Sequence, residues 1–134
     1  MPPLIAVAND DTDFLGLMGD LLTDEGYRVS IHRVAKDAYE ELKEALPDLI
    51  ILDIHMEMPE AGWMLLELLT LHPDLSTIPV IVCSADVVAL RAKVENLRAH
   101  GCDALEKPFD LDDLLEKVRL GLIGREAAAQ QSGD

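Results

Sequence analysis

Basic residues are scarce in this chain: 11 Lys and Arg stand against 26 Asp and Glu, for a formal net charge of −15. Contact with nucleic-acid phosphates needs clustered Lys and Arg, so the balance argues against direct nucleic-acid binding through this domain. The balance suits a soluble protein whose partners offer a neutral or basic surface. Cysteine is nearly absent too. Cys83 and Cys102 fall in or beside apolar, strand-like runs, which reads as reduced packing thiols rather than a disulfide or metal ligands. His32, His72 and His100 are dispersed and suggest no zinc site. No apolar run approaches the roughly 20 residues of a membrane helix. The first apolar strand begins at Leu4, so no signal peptide is expected. Together these absences point to the cytoplasm. There is no internal repeat and no low-complexity segment.

What is present is a regular alternation of short apolar runs and longer amphipathic ones. A chain of 134 residues suits one domain with a sizeable core. Strands are expected at 4–8, 27–31, 48–52, 78–83 and 102–106, and helices at about 12–25, 35–45, 62–71, 87–99 and 111–122. Such alternation predicts an α/β fold, a parallel sheet covered by helices on both faces. Gly26 and Gly101 sit where helices should end in a left-handed residue. Asp86 and Asp110 sit where side-chain oxygens cap free amides, and Asp110 with Asp113 resembles a capping box. Pro47 and Pro73 act as stop signals. The domain is expected to span residues 1–124. Residues 125–134, rich in Ala, Gln, Ser and Gly, read as a flexible tail: a frayed helix extension or a disordered end.

The chemistry collects at the carboxyl ends of the strands, where open α/β sheets place their sites. Leu49-Ile50-Ile51-Leu52 runs into Asp53, Leu4 to Ala8 runs into Asn9-Asp10-Asp11, and the 78–83 run leads to Ser84. If these strands are parallel neighbours, acids, an amide and a hydroxyl converge at one edge. A converging carboxylate cluster must be relieved by protonation or by a cation. With few, hard oxygen ligands, Mg²⁺ is the expected ion.

These motifs, together with Lys107-Pro108-Phe109 after the last strand and the small Ala85 after Ser84, resemble the receiver domain of two-component response regulators over about residues 4–122. The resemblance implies a doubly wound, flavodoxin-like sheet of order 2-1-3-4-5. It implies that Asp53 accepts a phosphoryl group, that Ser84 hydrogen-bonds it, and that Lys107 pairs with the acids and then with the phosphoryl oxygens. Asp10 and Asp53 would hold Mg²⁺ directly, His55 through its backbone carbonyl and Asn9 through a bound water. The Lys107–Pro108 bond would be cis. Partners would be a histidine kinase or phosphotransfer protein, a downstream protein target, and in some receivers a second copy; no nucleic acid or membrane is implied. The chemistry would be self-phosphorylation and slow dephosphorylation rather than enzyme turnover, in a stand-alone receiver.

Several positions depart from the family pattern. Asn9 replaces one acid of the usual pair, and an alternative register would pair Asp10 with Asp11. We favour the first register, because Asp11-Thr12-Asp13 then opens the helix, where acids favour the dipole. Glu57 stands where a proline is usual, Pro59 follows later, and Gly62 comes one position late. Ala104 replaces the Tyr or Phe that moves inward when the hydroxyl closes on phosphate. These departures motivate a competing reading, a degenerate receiver that binds partners without phosphorylation. A small aspartyl-phosphate hydrolase would need a second acid two residues after Asp53, where His55 stands. A flavin-binding reading lacks a phosphate-cradling loop after the first strand. Phe14, Leu15, Leu17, Met18, Leu21 and Leu22 form an apolar stripe, mostly core, with one or two residues free for docking a kinase.

Overall fold

The computed structural model of the chain describes residues 2–54 and 61–132, with side chains to Arg125. In chain order the elements are β1 (Leu4–Ala8), α1 (Thr12–Asp24), β2 (Arg28–His32), α2 (Ala35–Ala45), β3 (Leu49–Asp53), α3 (Ala61–Leu71), β4 (Val80–Ser84), α4 (Val87–Ala99), β5 (Cys102–Glu106) and α5 (Leu111–Ser132). The strands form one parallel sheet in the order β2-β1-β3-β4-β5. This is the expected doubly wound topology. The order reverses between β1 and β3, so the crevice at their carboxyl ends is the switch point.

Strand alternation explains the two cores. Ala6, Ala8, Ile50 and Leu52 face α2, α3 and α4, where they meet Leu42, Leu66, Leu69, Leu90 and Leu97. Ile5, Val7, Leu49 and Ile51 point the other way, toward Leu15, Met18 and Leu22 of α1 and Leu114 and Val118 of α5. Every residue of β3 and of β4 is buried, because both strands are covered on both faces. On α1, Leu15, Met18 and Leu22 are buried, Phe14 and Leu21 are half-buried, and Leu17 is exposed.

Boundaries shift for identifiable reasons. β3 starts at Leu49 because Asp48 is engaged elsewhere: its carboxylate accepts the Leu4 amide at 2.8 Å, and its own amide donates to the Leu4 carbonyl at 2.8 Å. β4 starts at Val80 rather than Ile78, whose amide closes a turn onto the Leu75 carbonyl at 3.1 Å. Gly26 and Gly101 have φ of 91° and 76°, the left-handed geometry expected of them. Asp86 caps α4 by accepting the Ala89 amide at 3.1 Å. Asp110 instead meets the Leu114 amide with its backbone carbonyl, at 3.2 Å, and forms no side-chain capping box among the described residues. α5 continues ten residues past the expected 122, to Ser132. Arg125 ties it to the sheet by donating to the carbonyls of Pro47 and Asp48 at 3.0 and 3.3 Å.

Gly62 carries a tight constraint. Its amide donates to the Ile54 carbonyl at 3.1 Å, and a Cβ there would lie 2.3–2.6 Å from Ile54 backbone atoms. The first turn of α3 is therefore seated against the backbone just beyond Asp53, and nothing larger than hydrogen fits. Gly62→Ala should destabilise the chain by about 1–3 kcal/mol through overpacking. Gly16→Ala, where a Cβ meets nothing within 4 Å, should stabilise by about 0.5–1 kcal/mol through helix propensity. Urea unfolding of the two variants checks the opposite signs.

Candidate functional site

The site is assembled from strand ends. Asp53 is the last residue of β3 and is 6% exposed. A carboxylate so buried needs compensating partners, since desolvating an unpaired charge costs several kcal/mol. The Lys107 ammonium forms an ion pair with its Oδ2. Asn9, 1% exposed at the end of β1, donates from Nδ2 to the same Oδ2 at 2.9 Å. The Asn9 backbone amide donates to the His32 carbonyl at 3.0 Å, and its Oδ1 accepts the Asp11 amide at 2.9 Å. Ser84, the last residue of β4, is 2% exposed, and its hydroxyl oxygen accepts the Asp86 amide at 3.0 Å. The Ser84 carbonyl accepts the Lys107 amide at 2.9 Å, which ties the end of β4 to the lysine. The Lys107–Pro108 bond is cis.

The acids after β1 separate clearly. Asp11 is the N-cap of α1, its Oδ1 accepting the amides of Asp13 at 3.0 Å and Phe14 at 3.3 Å. It is spent on the helix, in keeping with the register that pairs Asn9 with Asp10. Asp10 is exposed, and its carboxylate makes no hydrogen bond or ion pair among the described residues. His55, Glu57 and Pro59 lie outside the described residues. Among the described residues, no group of three or more His, Cys, Asp or Glu is arranged to hold a metal ion.

One neighbour of the site was legible only as core. Phe14, in the first turn of α1, lies under the Lys107 ammonium, 5.0 Å from ring centroid to Nζ. Its ring meets Phe109 edge-on, with centroids 6.3 Å apart and planes at 88°. The pair walls one side of the lysine and adds a cation–π contact to its ion pair. Ala104 lies opposite Val82 in the sheet and is partly buried against the core beneath α4.

The response regulator receiver domain model matches residues 5–119. The chain is 30% identical over 121 residues to the polar-differentiation response regulator DivK of Brucella anthropi, covering 89% of this chain and 95% of that one. It is 31% identical over 127 residues to the transcriptional regulatory protein ZraR of Salmonella typhimurium, covering 94% of this chain and 28% of that one. Among solved structures, a CheY-like response regulator receiver domain protein from Methanospirillum hungatei superposes with a TM-score of 0.79 at 28% identity, covering 96% of this chain and 99% of that one. The chain belongs to the response regulator receiver domain family of two-component signalling. It spans about a quarter of the length of transcriptional regulators such as ZraR, and nearly the whole of DivK.

Cys83 pairs with Asp53 in the sheet register, and both cysteines are free and buried. Burial pushes the Cys83 thiol up to about 12, with Asp53 adding to the rise and Lys107 opposing it. Burial alone pushes Cys102 up to about 11. Both thiols are therefore protonated and unreactive near neutral pH. Iodoacetamide at pH 8 should label neither cysteine in the folded chain and both in urea, as read by intact mass. The folded values lie above the unfolded value of about 8.5, so the neutral thiols cost nothing below that pH. Stability should fall as pH rises from about 8.5 toward 11 and 12, where the unfolded chain releases protons that the folded one retains. A lower urea midpoint at pH 10 than at pH 8 checks the sign.

Proposed function

We propose that this chain is a phosphoacceptor receiver in which Asp53 takes a phosphoryl group from a histidine kinase or phosphotransfer protein, and that the change alters its affinity for a downstream protein. The observation that carries this reading is the buried Asp53 carboxylate at the switch point, paired with Lys107 and flanked by Ser84. A carboxylate oxygen attacks phosphorus, the P–N bond to the donor imidazole breaks, and its electron pair leaves with the imidazole. Lys107 holds the carboxylate and then offers its charge to the phosphoryl oxygens. Ser84 still carries its own proton while its oxygen accepts from Asp86, so the hydroxyl is free to donate to a phosphoryl oxygen.

The donors fit a hard cation. Asp10 and Asp53 would hold Mg²⁺, with the backbone carbonyl of His55 in the role the family resemblance implies. When bound, Mg²⁺ supplies neutralisation of charge on the transferring group. Asn9 presents nitrogen rather than oxygen toward Asp53, so its part, including any contact through water, is to hold the acid. Receiver domains are signalling modules rather than enzymes, and the expected setting is the cytoplasm. No helix among the described residues is long and apolar enough to cross a membrane.

Incubation with Mg²⁺ and a small phosphodonor should add one phosphoryl group to the wild type and none to Asp53→Asn, measured by intact mass. A wild type that binds Mg²⁺ yet stays unmodified would replace this reading with a phosphorylation-independent interaction module.

The route from site to surface is expected to run through α4. Ser84 Oγ accepts the Asp86 amide, and Asp86 Oδ1 accepts the Ala89 amide, so movement of the hydroxyl toward a phosphoryl group pulls on the first turn of α4. A hydrogen bond to a charged acceptor contributes roughly 1.5–3 kcal/mol, enough to drive such a shift. At position 104 a methyl group cannot fill the space that Ser84 vacates. Amide exchange with and without beryllofluoride should therefore change protection in residues 84–92. Changes confined to 102–106 would sink the route.

A further inference from the structure

We infer that the Asn9 carboxamide is an internal stand-in for a cation at Asp53: it keeps the resting carboxylate compensated and oriented, and it competes with Mg²⁺ for the same oxygen. The inference rests on the reading of Asp53 as the cation-assisted acceptor.

The orientation of the carboxamide is dictated by its neighbours. The Asp11 amide can only donate, so the atom facing it at 2.9 Å must be Oδ1. Nδ2 is thereby turned onto Asp53 Oδ2, at 2.9 Å. Rotating the group by half a turn would set oxygen against carboxylate and N–H against N–H, losing both bonds. The Asn9 backbone amide, bonded to the His32 carbonyl at 3.0 Å, removes the remaining freedom. The residue is 1% exposed, so no water competes for these contacts.

Asp53 Oδ2 has two lone pairs. One meets Asn9 Nδ2 and the other the Lys107 ammonium. A cation approaching this oxygen competes with these donors. The carboxamide nitrogen has no lone pair to offer the cation in return. An aspartate at position 9 would reverse each term: it would put a second carboxylate beside Asp53, raise the energy of the empty site, and supply an oxygen ligand to the ion. Position 9 therefore decides whether the resting site needs a cation at all.

Asn9→Asp is the informative change because it keeps shape and the oxygen that caps the Asp11 amide, and alters only the donor. Calorimetric titration of the full chain should show the variant binding Mg²⁺ at least about tenfold more tightly than the wild type, since a full charge is added beside the ion. In EDTA the variant's Tm should fall about 5 °C or more below that of the wild type, and Mg²⁺ should close the gap. A second measurement needs no variant. The Asn9 side-chain amide protons of the ¹⁵N-labelled wild type should be protected from exchange in EDTA, and should shift and lose protection as Mg²⁺ saturates the site. The inference is overturned if Asn9→Asp binds Mg²⁺ no more tightly than the wild type, or if the wild-type amide signals stay unmoved at saturation. Neither readout depends on phosphorylation. A chain that gives these results but never accepts a phosphoryl group would support the role of Asn9 and remove the phosphoacceptor reading.

Discussion

The structure turns on one demand: the carboxylate of Asp53 needs partners while almost wholly removed from water. Water would otherwise solvate it, so the protein must supply donors of its own. It supplies them from elements far apart in sequence. Asn9 comes from the end of β1 and Lys107 from beyond β5, and the two meet at one oxygen. Only a fold that brings the carboxyl ends of β1, β3 and β5 to one edge satisfies this, and a parallel sheet with helical crossovers does so. The pairing of Ala8 with Leu52, of Asp53 with Cys83 and of Ser84 with Glu106 then sets each polar group at a fixed height along that edge.

Rigidity at that edge comes from packing behind it. β3 and β4 are buried on both faces, so neither strand can slide without pushing its whole set of side chains into the wrong core. Gly62 adds a second brace, seating α3 against the backbone that follows the acid. The polar groups of the site are thus mounted at or directly after strand ends, which favours a precise geometry. Motion is left to the segments that carry fewer buried contacts. The start of α4 is one, with Ala85, Asp86 and Val88 exposed and Val87 half-buried.

Much of this was legible in the sequence, because the residues of the site terminate apolar runs. Asp53, Asn9, Ser84 and Lys107 each follow such a run, and parallel topology then implies convergence. Gly26 and Gly101 disclosed helix ends because few other residues tolerate the backbone they adopt. The limits are equally physical. Asp48 looks like the first residue of a strand, yet its carboxylate is committed to the Leu4 amide, a long-range partner that local pattern does not reveal. Helical periodicity assigns Phe14 to the inward face but says nothing of its height along α1, and height is what sets it beneath Lys107. The composition of residues 125–134 suggests a frayed helix extension or a disordered end; what it does not disclose is that Arg125 finds two carbonyls of the α2–β3 turn, a long-range partner for a helix that runs to Ser132. At Asn9 the residue type was visible but not which end of the amide faces the acid, because the Asp11 backbone amide decides that.

The two uncharged polar side chains of the site are held in the same way. Asn9 Oδ1 and Ser84 Oγ each accept a backbone amide from two residues further along, Asp11 and Asp86. Each amide belongs to a residue that itself caps a helix, α1 for Asp11 and α4 for Asp86. Any change in the charge on Asp53 is therefore felt by two side chains whose other ends are anchored to helix starts. The α1 side is stiff, since Asn9 is pinned by its own backbone as well. On the α4 side, the Ser84 carbonyl accepts the Lys107 amide, and the Lys107 ammonium is paired with Asp53. A neutral hydrogen bond contributes about 0.5–1.5 kcal/mol net, against roughly 1.5–3 kcal/mol for one to a charged group. New charge near Asp53 should therefore draw the Ser84 hydroxyl from its resting bond to the Asp86 amide, and the strain would fall on the first turn of α4.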